Sequence, residues 1–295
     1  MKRLNIYVLA LLAATTGFGC SDFFQTDIEL DLPPHERQLV VECYLQPNFP
    51  ILLSLTETLE YFGQPELPLV NDAEVSVSWR NRTVNLIYGP LVLPDGTVLD
   101  SGIYQPENLL TGIVPEDYNA TFTLNVRTKD GRELTAETQL LREVPIDRIE
   151  WEFNDDSLAF VLTRFFDDGG QNNYYRRLFQ VRDFQVERFV DGQGQVVSDT
   201  IRVVNDEQDF TADDRFSNGE LVTFGTGFNY EKGDTVISTL YHINREYYDF
   251  LNTVDDAVAA NSNPFGQPSR IISNIQGGTG IFTGIAVSRQ ERIIE

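Results

Sequence analysis

The side chains best suited to hold a ligand lie in one acidic loop of this 295-residue chain. Asp167-Asp168-Gly169-Gly170-Gln171-Asn172-Asn173 gathers oxygen donors as calcium loops do, with Asp167, Asp168 and Asn172 as candidate ligands. The loop lacks the alternating ligands of an EF-hand, and Leu178 stands where a closing glutamate belongs. Asp155-Asp156 and Asp213-Asp214 join such a site only if the fold brings them near; the bland reading is three solvated loop tips. His35 and His242 are the only histidines, and no H-E-x-x-H or paired-cysteine spacing exists, so a histidine–thiolate zinc site is not expected. No G-x-S-x-G elbow is present, and neither histidine has the context of a triad base. Gly277, Gly278 and Gly280 imitate a phosphate loop, but residues 281–287 read as strand, and such loops need a helix there. A tight turn or bulge needing positive φ is the better account. No catalytic residue and no cofactor site is assigned, and the expectation is a protein that is not an enzyme.

One cysteine carries the strongest chemical signal. Lys2 and Arg3 precede an apolar run over residues 6–14, followed by Gly17-Phe18-Gly19-Cys20. A basic start, a short apolar core and small residues before a cut site make a secretory leader, too short for a mature membrane span. A cysteine directly after that site resembles the bacterial lipoprotein signal, which makes Cys20 the expected lipid attachment and a bilayer the expected partner. Gly17 and Phe18 depart from the usual lipobox, and an ordinary signal peptidase cut would instead leave a soluble protein. In that case Cys20 and Cys43 become free to bridge. Otherwise Cys43, within Leu39-Val40-Val41-Glu42-Cys43-Tyr44-Leu45, reads as a small buried apolar residue.

Removing the leader takes away two basic residues and no acids, so the net charge moves from −23 to −25. A chain this acidic repels nucleic acid, which is excluded as a partner. Two cysteines are too few for a disulfide framework.

The elements that must position these residues are strands. Val75, Val77 and Trp79 alternate with Glu74, Ser76, Ser78 and Arg80, giving one dry and one wet face. Lys129-Asp130-Gly131-Arg132 joins two alternating runs and predicts a hairpin. Residues 174–190 read as one or two long strands ended by Asp191-Gly192-Gln193-Gly194. Residues 205–220, acidic and polar, read as a long loop, and Lys232-Gly233-Asp234 as another hairpin turn. Leu158, Phe160 and Leu162 alternate with Ala159, Val161 and Thr163, apolar on both faces, which predicts a central strand. Only Ile243, Tyr247, Phe250 or Leu251, Val254 and Val258 recur at helical steps, giving one amphipathic helix over about 243–260 with Asn244 as its N-cap. The fold class expected is mainly β. It comprises a leader (1–19), a tether (20–37), an immunoglobulin-like β-sandwich (38–144) and a second antiparallel sandwich or barrel-like domain carrying the helix (145–295). Tyr118 is a candidate tyrosine corner or a plain core tyrosine, and Trp79 and Trp151 are expected in the cores, one in each half.

The order His242-Ile243-Asn244-Arg245-Glu246-Tyr247, then Asn263-Pro264-Phe265-Gly266-Gln267-Pro268, then Ser273-Asn274-Ile275-Gln276-Gly277-Gly278-Thr279-Gly280-Ile281-Phe282 resembles the end of a Bacteroidota lipoprotein family catalogued as domain-of-unknown-function family 4249. Leu39-Val40-Val41-Glu42 and Gly102-Ile103-Tyr104 are similar to its first domain. The resemblance implies an outer-membrane location, on the cell surface or the periplasmic face, and a TonB-dependent outer-membrane receptor as partner. It carries no catalytic residues. The function expected is a non-enzymatic accessory or binding lipoprotein of an uptake system; the alternatives are a secreted glycan or peptide hydrolase and a structural lipoprotein.

Overall fold

A computed structural model describes residues 36–59, 68–92, 97–190, 196–261 and 269–295. The leader, most of the tether and Cys20 lie outside the described residues, as does the turn at 191–194. From Arg37 to the C-terminus the chain forms one compact unit, and it is mainly β. The strands are β1 (Leu39–Leu45), β2 (Leu53–Glu57), β3 (Glu74–Trp79), β4 (Arg82–Val92), β5 (Val98–Pro106), β6 (Thr121–Arg127) and β7 (Glu133–Gln139). They continue as β8 (Ile146–Phe153), β9 (Ala159–Phe166), β10 (Tyr174–Val190), β11 (Val196–Asp213), β12 (Leu221–Tyr230), β13 (Thr235–Ile243) and β14 (Thr279–Ile293). One helix, α1 (Arg245–Asn261), lies between the last two.

Eleven strands form one sheet in the order β11-β10-β13-β14-β1-β2-β5-β4-β3-β6-β7, and three form a second in the order β12-β9-β8. The large sheet is antiparallel except where β14 runs parallel to β1, with Val41 opposite Gly280 and Cys43 opposite Phe282. It curls so that β7 returns to the chain ahead of β14: Thr135 and Gln276 exchange both backbone hydrogen bonds, at 3.1 and 2.8 Å. The curl encloses one apolar core, in which Val41, Leu55, Val77, Phe122 and Leu124 from the first half meet Ile275 and Phe282 from the last forty residues or so. A second core, with Val161, Phe165, Tyr175, Phe179 and Leu240, lies between the small sheet and the C-terminal end of the large one. The core changes between Leu140 and Val144.

Local expectations meet this frame unevenly. The Lys129–Arg132 hairpin forms, with Gly131 at φ 89°, and β9 is the central strand of its sheet. Residues 205–213, however, belong to strand β11 and not to a loop. Their acidity misleads because it is answered across the strand pair: Asp209 takes Arg176, Gln208 takes the Arg177 guanidinium at 2.7 Å, and Asp206 takes Gln180 at 2.7 Å. Lys232-Gly233-Asp234 does not close a hairpin either, because β12 pairs with β9 while β13 pairs with β10 and β14. It is a corner between sheets, and the same tight-turn residues serve both. Asn244 precedes the helix and its carbonyl accepts from Tyr247 and Tyr248. Its side chain does not cap; it donates to the Gln139 carbonyl at 3.0 Å and to Thr138 at 3.2 Å, pinning the helix start to β7. Trp79 is buried and stacked on Phe122, whereas Trp151 is only half-buried beside the second core. Tyr118 packs at the edge of the first core with the Arg142 guanidinium over its ring.

Candidate functional site: a polar groove on the first sheet

A concavity of about 720 Å³ lies over strands β3, β4, β6 and β7. Strand register builds it. Asn85 faces Ser76, Ser76 faces Asn125, and Asn125 faces Thr135, so four neutral polar side chains form one row across four strands. Alternation puts this row on the wet face because Val75, Val77, Leu124 and Val126 need the dry one. One step along, Glu74 faces Arg127 and Arg127 faces Glu133. Arg127 is held by Glu133 at 2.7 Å, and Lys129 holds Asp72 at 3.2 Å. At one end two tyrosines pack beneath the groove, on the dry side of the same strands. Tyr104 is buried and accepts from the Ala73 amide at 2.9 Å; Tyr88 meets its ring edge-on, and burial pushes the Tyr104 hydroxyl above its usual range. Tyr88 needs Gly102, at φ 51°, because a Cβ there would stand 2.2 Å from the tyrosine oxygen. An adjoining hollow of about 270 Å³ shares Asn71 and Asp72 and reaches Glu57 and Arg132. Arg37 pairs with the same Glu57. Such a surface offers amide and hydroxyl groups to a neutral polar ligand, with charge only at its rim.

The acidic loop is divided by the fold. Asp167 is buried, while Asp168 and Asn172 are exposed. Both Asp167 oxygens are engaged by donors: Oδ1 accepts from Asn173 at 3.2 Å and from the Tyr175 hydroxyl at 2.5 Å, and Oδ2 accepts from the Gly219 amide at 2.8 Å. Asp214 joins the cluster, accepting from the Asn173 amide at 2.7 Å. Asp213 turns instead to Arg215, and Asp155 and Asp156 occupy the turn between β8 and β9. Among the described residues no three His, Cys, Asp or Glu side chains are placed to share a metal ion. His242 enters the same cluster from β13. Its Nδ1 lies 2.8 Å from the Arg142 carbonyl and its Nε2 3.1 Å from Asn173 Oδ1. Burial lowers its pKa below the usual range, against the Arg142 carbonyl, Asp167, Asp168 and Asp214, which pull upward. The neutral ring has one proton for two acceptors, so this cluster is a structural joint between the linker at Arg142, the loop and β13.

The glycines at 277–280 face carbonyls, not a ligand. A Cβ on Gly277 would lie 2.3 Å from Glu133 O, on Gly278 2.6 Å from Leu39 O, and on Gly280 1.9 Å from Val41 O. Backbone acceptors packed this close repel an anion, and the positive φ at Gly277 (86°) and Gly280 (111°) fits the turn-or-bulge reading. Sequence placed Ser76 on the wet face but missed the row, because Asn85, Asn125 and Thr135 acquire meaning only through register. It missed Asn173 and His242 as partners for the same reason.

Fold and groove together define a mainly β protein with a polar groove on its large sheet. The chain belongs to the Domain of unknown function (DUF4249) family, whose model matches residues 25–291. No curated protein matches it. Among solved structures it is similar to a chain of a cytokine receptor complex, 9% identical with a TM-score of 0.24, over 85% of this chain and 94% of that one. A DUF4785 family protein from Legionella pneumophila is 10% identical with a TM-score of 0.23, over 68% of this chain and 52% of that one. Trypsin-activated alpha-2-macroglobulin from Escherichia coli is 10% identical with a TM-score of 0.20, over 72% and 15%. At these scores none bears on what this chain does.

Proposed function

We propose that this chain is a non-enzymatic lipoprotein, anchored in the outer membrane through acylated Cys20, that serves a TonB-dependent uptake system as a binding or accessory subunit. The observation that carries the binding role is the groove with its neutral row of Asn85, Ser76, Asn125 and Thr135, open to solvent. Amides and hydroxyls in a row suit a ligand rich in hydroxyl or peptide groups, and each net hydrogen bond contributes only about 0.5–1.5 kcal/mol, so recognition needs several at once. A hydrolase is disfavoured because Glu133 and Asp72, two of the groove's carboxylates, are engaged by Arg127 and Lys129. The anchoring rests on the leader pattern, and the receptor on what the family resemblance implies.

The test pairs two strains. One carries Cys20→Ala, the other Asn125→Ala with Asn85→Ala. Membrane fractionation and growth on the neighbouring receptor's substrate are then measured. The reading expects the first variant to leave the membrane fraction and the second to remain there while uptake falls. Unchanged uptake in the groove variant would remove the binding role. Unchanged fractionation of the cysteine variant would remove the anchor. The structural-lipoprotein alternative keeps one observation of its own: the outer face of the small sheet exposes Phe166 and Phe228, with Phe160 lying over Gly225 between them.

A further inference from the structure

Arg177 is a fully buried side chain on β10, 0% exposed, in the second core between the two sheets. It pairs in register with Phe210 on β11 and Leu240 on β13. Its guanidinium lies over the Phe179 ring at 4.6 Å and near the Phe210 ring at 5.9 Å. Only Nη1 has a partner, the Gln208 side-chain oxygen at 2.7 Å. Nε and Nη2 are buried and have no hydrogen-bond partner. Those two nitrogens share one edge of the guanidinium plane, and their N–H groups point the same way, the geometry that receives both oxygens of a carboxylate or one spherical anion. The other arginines whose buried Nε makes no hydrogen bond, Arg164 and Arg182, each form an ion pair, with Glu150 and Glu291. No ion pair is formed by Arg177 among the described residues.

A buried cation without a counter-charge costs several kcal/mol, and arginine does not escape by losing its proton at neutral pH. Desolvation pushes the Arg177 pKa down only to about 10. The charge therefore stays and calls for an anion. One cation among aromatic rings balances one negative charge, which selects a monovalent ion over sulfate or a phosphate dianion. The side of the core nearest Arg177's register partner Phe210 is the sandwich edge. Phe210 on β11 and Phe224 on β12 meet edge-to-face at 5.1 Å, and Phe210 is 36% exposed. Each belongs to an edge strand of its sheet, so this aromatic pair stands between the interior and solvent.

We propose that Arg177 is the heart of an internal binding site for one monovalent anion, a carboxylate or chloride, received by Nε and Nη2 between β11 and β12. The experiment measures urea unfolding of the purified full chain while formate or chloride replaces fluoride at constant ionic strength. Binding only to the folded state raises the folded-to-unfolded ratio about 100-fold when the anion reaches 100 times its dissociation constant. The site predicts this saturable rise in the wild type and a flat response in Arg177→Met, with the variant the more stable of the two in fluoride. Whichever ion saturates at lower concentration identifies the source. Equal responses in both proteins, or none in the wild type, overturn the proposal. Should Arg177→Met fail to fold, chloride-35 NMR on the wild type decides: line broadening removed by formate supports the site, and an unbroadened line refutes it.

Discussion

Gly280→Ala should be among the most damaging single-methyl additions in this protein. At φ +111° the residue already occupies backbone space that costs an L-residue about 1–3 kcal/mol. The new Cβ would also stand 1.9 Å from Val41 O and 2.8 Å from Val41 N and C. No rotamer relieves a clash with backbone, so β1 and β14 must part around their six register pairs from Val40↔Thr279 to Leu45↔Gly284. Losing two or so of those ladder bonds adds about 1–3 kcal/mol. The total, about 2–6 kcal/mol, is a large share of a typical 5–15 kcal/mol stability. Gly233→Ala is the control, since Gly233 has a similar φ of +102° but nothing within 4 Å of its added Cβ. It should therefore show the backbone cost alone. Urea unfolding followed by tryptophan fluorescence gives both values. Should the two variants agree within about 0.5 kcal/mol, crowding against β1 is not what fixes this glycine, and the account of the β1–β14 junction fails.

Other consequences are open to simpler measurements. Because burial depresses the pKa of His242 below its ordinary 6.5, the unfolded chain binds the proton more readily. Stability should be level above that pH and fall as pH drops through it; His242→Asn should lack this slope between pH 7 and about 5, whatever its neutral stability. Iodide should quench a half-buried Trp151 and spare Trp79, so Trp151→Phe should remove most of the quenchable emission. Cys43 is a free, fully buried thiol whose pKa burial raises, and it should react with alkylating reagents only at the rate of unfolding.

The periodicity of β3, β6 and β7 was legible because alternation is a local consequence of having one dry face, and Gly131 marked the turn between the last two. What stayed hidden depended on partners far along the chain. Asp206 and Asp209 read as loop residues until Gln180 and Arg176 reach them across the strand pair. Lys232-Gly233-Asp234 announces a turn, but nothing local says whether the next strand joins the same sheet. The groove row follows the same logic: Ser76 is wet by alternation, yet its alignment with Asn85, Asn125 and Thr135 is a property of three strand pairings. Arg177 did have a local signal, a charge at a dry position between Tyr175 and Phe179.

The largest such dependence decides whether residues 38–144 can stand by themselves. Their core is closed by Phe282 and Ile275, and β1 has β14 as its neighbour on one side. Deleting a buried Phe alone costs about 3–5 kcal/mol, and Ile275 adds an amount of the same order as other large aliphatic truncations, about 2–5 kcal/mol. The bare edge of β1 would also expose unpaired amides beside Val41 and Cys43, which are 0% exposed in the intact chain. The sum rivals the whole stability of a domain this size. The isolated segment 38–144 should therefore show poor NMR dispersion and no cooperative urea transition, and mixing in a peptide spanning 269–295 should restore both in part. A segment that unfolds cooperatively without the peptide would mean that β14 is an addition to a finished sandwich and not one of its walls.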